Sequence, residues 1–99
     1  MAQGIKGRIS FSLLDQLSRA STSVALNLAE GNGRWHKNEK KQFLRIAQGS
    51  VFEMVPILQV IHGRKLIDRP MYDSLYVRLE VLAKMLTNLI KSIDDLRRS

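Results

Sequence analysis

The chain contains no cysteine. Disulfides and thiolate metal sites are therefore excluded, and a cytoplasmic location is expected. Acidic residues are scarce. Nine Asp and Glu stand against sixteen Lys and Arg, giving a formal charge of +7 and a pI near 10.3. That surplus favours polyanionic partners: nucleic acid, acidic protein surfaces or anionic lipid heads. Long apolar runs are missing too, because Asn27, Glu30, Glu53 and Gln59 interrupt them, so no bilayer-spanning segment is expected. Residues 1–10 carry charge and two glycines but no apolar stretch of a secretory signal. No alternating strand pattern, internal repeat or low-complexity tract is present.

What the chain does have is helical periodicity. Leu13, Leu17, Ala20, Val24 and Leu28 recur at steps of three and four, one stripe of an amphipathic helix. Ser12 reads as its N-cap. Residues 1–11, with Gly4 and Gly7, read as a weakly structured segment ahead of a helical bundle domain over 12–99. Gly31-Asn32-Gly33 reads as a tight corner using positive φ. A second helix runs from about His36 to His62. Its main stripe is Phe43, Ala47, Val51, Met54, Leu58 and Ile61, and Ile46, Ile57 and Val60 lie on another side. Pro56 predicts a kink, and Gly63 a helix end. Asp68 is an N-cap for a third helix whose seam is Leu75, Leu79, Leu82, Leu86, Leu89, Ile93 and Leu96. Short connections make the order up-down-up. The expected fold is an all-α antiparallel bundle of three long helices.

This order brings Arg34, Lys37, Lys40, Lys41, Arg97 and Arg98 to one end, against Glu30, Glu39, Asp94 and Asp95. Lysines in the first turns of a helix oppose its dipole, so Lys37, Lys40 and Lys41 point to an anionic partner. With Arg34, Arg45, Arg97 and Arg98 they form the candidate nucleic-acid surface. Trp35 beside them could stack on a base, or act as an interfacial anchor over the corner. Gly31-x-Gly33 lacks the preceding strand and third glycine of a dinucleotide fingerprint. His36, Glu39 and His62 make no metal set, and no nucleophile stands paired with a base. No cofactor is implied, and the chain is read as non-enzymatic. Glu53 is expected to pair with Arg19, and Glu30 with Arg34.

The segments QLSRASTSVALNLAEGNGR, ExxxFLRIAQGSVFE and KMLTNLIKSI together resemble the bacterial four-helix-bundle family named for reading frames in intervening sequences of 23S ribosomal RNA genes. They are also similar to the accessory variability determinant proteins of diversity-generating retroelements. The resemblance implies a non-enzymatic bundle that forms homopentamers and, for the accessory proteins, binds reverse transcriptase and nucleic acid. It places Arg19, Glu30, Gly31, Gly33, Arg34, Glu39, Gly49, Ser50 and Glu53 at the family's motif positions. The family's first helix would be short or missing here. Three helices without it expose apolar surface, so self-association is expected, with Leu26, Phe52 and Ile57 at the interface. Two functions stay open at this point. One is a self-associating basic bundle that binds RNA, DNA or a nucleic-acid-handling partner, and the other is a purely structural protein-interaction module.

Overall fold

The computed structural model describes the backbone of residues 2–95 and the side chains of residues 11–95. Three helices follow one another: α1 (Ala2–Asn32), α2 (Lys37–Gly63) and α3 (Arg69–Asp95). No strand occurs among the described residues. The helix in α1 starts well ahead of Ser12, which is an interior residue and not an N-cap. The segment expected to be weakly structured is thus helical from Ala2 to Phe11. Adding residues to an existing helix needs no new nucleus, so two glycines do not stop it.

The helices alternate in direction, with α2 in the middle. Both outer helices pack on α2, and α1 and α3 make no backbone approach to each other among the described residues. Register is set by four contacts. Ser23 and Ser50 hydroxyls hydrogen-bond at 2.8 Å, and Gly31 abuts Phe43. Lys41 meets Asp94 at 2.6 Å, and Gln48 Nε2 donates to Thr87 Oγ1 at 2.8 Å. The core is Val24, Leu44, Ala47, Val51, Leu58, Leu79 and Leu86, with Leu28, Leu75, Leu82 and Ile93 partly buried against it. The expected stripes of α1 and α3 therefore face α2, except that Leu89 is exposed, and Leu96 lies outside the described residues. The second stripe of α2 does not find a neighbour: Ile46 and Val60 stay exposed.

The two connections are built differently from their glycine content. Among the described residues no glycine has positive φ. Gly31 lies inside α1 and is buried, and a Cβ there would sit 3.2 Å from Phe43 Cβ and 3.3 Å from the Lys40 carbonyl oxygen. Its role is close helix approach and not a left-handed turn. Nor does Gly63 terminate α2 as the left-handed residue. Lys65 takes that place with φ 60°. The Leu66 N–H donates to the Ile61 carbonyl and the Lys65 N–H to the His62 carbonyl, the double bond of a Schellman end. Asp68 caps α3 as expected, its Oδ1 accepting from the Met71 N–H at 2.9 Å. Helix α2 is capped by His36 with no side-chain hydrogen bond, and it continues through Pro56.

Two substitutions check these assignments. Lys65→Gly relieves a side chain from left-handed backbone and should stabilise the fold by about 0.5–1 kcal/mol in urea melts. Gly31→Val should destabilise it by about 2 kcal/mol, since the Lys40 carbonyl opposing the new atoms cannot move without moving α2.

Candidate nucleic-acid and partner interface

The α1–α2 corner is held by Arg34. Its guanidinium bonds Glu30 at 3.0 Å, reaches Glu39 at 4.0 Å and lies 4.9 Å over the Phe43 ring. The expected Glu30–Arg34 pair is present, and the arginine also ties the end of α1 to the start of α2. Gly33 N–H donates to the Ala29 and Glu30 carbonyls, closing the last turn of α1.

The lysines at the start of α2 turn out to have internal work. Lys40 Nζ donates to the Gly31 and Asn32 carbonyls at 3.4 and 3.3 Å. A lysine that opposes one helix dipole here complements another, because the tight corner lays the start of α2 beside the end of α1. Lys41 is only 8% exposed, and its ammonium reaches across to Asp94 on α3. Its placement in a nucleic-acid surface is therefore corrected: burial and a carboxylate partner take it off the surface. Arg97 and Arg98 lie outside the described residues.

What remains outward at this end is Trp35, 94% exposed, with half-buried Lys37 two residues on. Arg45 is exposed further along α2, and Lys84 and Lys91 are exposed seven residues apart on α3. Among the described residues these four cations have no ion-pair partner within 4 Å. The structure thus keeps Trp35, Lys37 and Arg45 of the sequence-derived cluster free of internal partners and engages Arg34, Lys40 and Lys41.

The remaining motif residues divide in the same way. Ser50 is buried and holds Ser23, whose hydroxyl and carbonyl also accept from Asn27 Nδ2. Arg19 pairs with Asp15 at 2.8 Å on its own helix and not with Glu53, an exposed residue. Four-residue spacing supplies a carboxylate closer than any on α2. Of the expected interface residues, Leu26 and Phe52 are exposed and Ile57 is half-buried. Sequence reading missed the Lys41–Asp94 and Gln48–Thr87 links, for which the antiparallel register of α2 and α3 was the only available signal. Between α1 and α3 a groove of about 610 Å³ opens over α2, lined by Leu28, Gly31, Lys40, Leu44, Leu89 and Ile93 among others. It exists because the two outer helices do not meet.

Among the described residues no group of three or more His, Asp or Glu could hold a metal. Contrary to the sequence-based expectation, α2 contains a window long and apolar enough to cross a membrane by length and composition, with a third of it buried. Its interruptions by single polar residues do not lower the average enough, because apolar residues occupy more than one face.

Among the described residues these features define an all-helical protein in which a central, two-sided helix carries a basic corner. The profile of the 23S rRNA-intervening sequence proteins matches residues 2–88, and the chain belongs to that family. No curated protein and no solved structure gives a significant match.

Removing the inter-helix ion pair isolates its structural part. Lys41→Ala should destabilise the fold by about 1–2 kcal/mol, less than a fully buried pair because Asp94 is half exposed. Lys37→Ala should change stability by under about 0.5 kcal/mol in the same chemical denaturation series.

Proposed function

We propose that this protein is a non-enzymatic, self-associating bundle that binds nucleic acid, with the α1–α2 corner as its contact point. The observation carrying this reading is Trp35, almost wholly exposed and flanked by Lys37 on a chain of charge +7. A bare indole beside unpaired cations suits base stacking next to phosphate contact. Lys84 and Lys91 add cations along α3. Self-association is supported by the uncovered apolar residues Leu26 and Phe52, by half-buried Ile57, and by the open groove between the outer helices. The likeness to retroelement accessory proteins extends the partner list to a reverse transcriptase and suggests a homopentamer in the cytoplasm.

A second reading, a protein-interaction module with no nucleic-acid role, is favoured by one specific finding. Three corner cations are already engaged internally: Arg34, Lys40 and Lys41. The surplus charge available to a polyanion is correspondingly smaller.

Binding of single-stranded and duplex RNA and DNA, followed by Trp35 fluorescence and by anisotropy from 50 to 300 mM salt, separates the two. Nucleic-acid binding predicts a linear log–log decline whose slope falls by about one unit in Lys37→Gln, and roughly tenfold weaker affinity in Trp35→Ala. No binding to any of the four ligands at the lowest salt would leave the protein-interaction reading standing.

A further inference from the structure

Helices α1 and α3 both end at the corner, so they run parallel on either flank of α2. Near the corner they are level at Leu28 and Leu89, which line the same groove of about 610 Å³. Counting back from there in alternating threes and fours follows one side of each helix. On α1 the steps give Ala25, Ser21, Ser18 and Leu14, all exposed. On α3 they give Met85 and Arg78, both exposed, with half-buried Leu82 and Leu75 between and beyond them. A second hollow, lined by Met71, Leu75 and Arg78, continues the line at the far end. The groove is thus the deep end of a trough about 30 Å long, the length of some twenty helical residues.

Two cations interrupt its apolar and small-residue walls. Lys40 lines the deep end and Arg78 the far hollow. Neither has a carboxylate within 4 Å among the described residues. Lys40 donates to the Gly31 and Asn32 carbonyls alone, which leaves its charge unneutralised. Asp68, which also lines the far hollow, already accepts from the Met71 N–H as the cap of α3. Ser92 shares the deep end with Lys40, and Arg78 stands fourteen residues before it on α3. The two cations are therefore about 21 Å apart along the trough.

We propose that this trough seats one amphipathic helix of a different polypeptide, laid along α1 and α3. Its apolar seam carries two carboxylates fourteen residues apart, one for Lys40 and one for Arg78. The residues between them are large and apolar, because Ser18, Ser21 and Ala25 leave the middle of the trough wide. A helix is the occupant because it satisfies its own backbone. The main-chain groups of α1 and α3 are used within those helices, so an extended segment would bury unpaired N–H and C=O groups there. A nucleic-acid strand needs closely spaced cations, and two of them 21 Å apart over apolar walls do not supply that. A second copy fits less well, since the outward face of its α2 has bare Gly49 at the middle, where the trough needs filling. Leu26 and Phe52, the residues given above to self-association, lie outside the trough, so a partner helix and self-association are compatible.

The test is fluorescence anisotropy on the full chain with a labelled synthetic helix of about 21 residues. The peptide has leucine along a three-four seam and two glutamates fourteen residues apart in it, and a twin has lysine at both glutamate sites. The glutamate peptide should bind, and its twin about tenfold more weakly or worse. Arg78→Glu should weaken the glutamate peptide about tenfold. One of the two peptides with a single lysine should then bind Arg78→Glu better than it binds the parent, which also gives the direction of the helix. Ala25→Trp, at an exposed position, should fill the trough and abolish binding without lowering the urea midpoint. Equal binding of the glutamate peptide and its twin, no binding of either, or no rescue of Arg78→Glu overturns the assignment. So does loss of self-association in Ala25→Trp, the result expected if a second copy fills the trough instead.

Discussion

The close seating of α1 on α2 at Gly31 is the constraint from which the rest of the architecture follows. With no side chain at that position, the α1 backbone comes within contact of Phe43 and the Lys40 carbonyl. That approach brings Lys40 under the last carbonyls of α1 and sets Arg34 over Phe43. The four residues 33–36 are enough for the change of direction because the two helix ends are already side by side. Farther along, the same seating places Ser23 opposite Ser50. By this register α1 runs about two turns past the end of α2. The opposite flank of α2 is left for α3, where Lys41–Asp94 and Gln48–Thr87 keep the pair in step.

The electrostatics of the corner show why net charge alone overstates a binding surface. A basic residue close to a helix start opposes that helix's dipole, which makes it look functional when read along one helix. In an antiparallel pair the start of one helix adjoins the end of another, so the same residue can satisfy carbonyls of its neighbour. Lys40 does this for α1, and Lys41 neutralises an aspartate near the end of α3. Cations that reach no such site among the described residues include Lys37 at the corner, Arg45 farther along α2, Lys84 and Lys91 on α3, and Arg64, Lys65 and Arg78 away from the corner.

Much of the fold was legible from residue spacing, and the failures have a common cause. The α3 seam from Leu75 to Leu86 and at Ile93, the stripes of α1 and α2, the Asp68 cap and the Glu30–Arg34 pair all depend on local spacing and are present, whereas Leu89 of that seam is exposed. Gly31 was misread because glycine permits both a left-handed turn and a close approach, and Gly63 because the left-handed position falls two residues later, on Lys65. Only the packing partner, Phe43 and the Lys40 carbonyl on α2, distinguishes the two uses at Gly31. The helical start at Ala2 was missed because propensity penalties were weighed without the helix they extend. Arg19 was assigned to Glu53 across helices when Asp15 lay one turn away on its own. Residues whose roles depend on a neighbour's identity were the hard ones, and Lys41 is the clearest of them.

The same distinction explains why α2 is apolar on more than one side. A helix buried between two neighbours needs apolar residues only on the flanks they cover. Here Ile46, Phe52 and Val60 lie on the face turned away from both, and only a third of the most apolar window is buried. Covering exposed apolar area is favourable by about 25 cal/mol per Å².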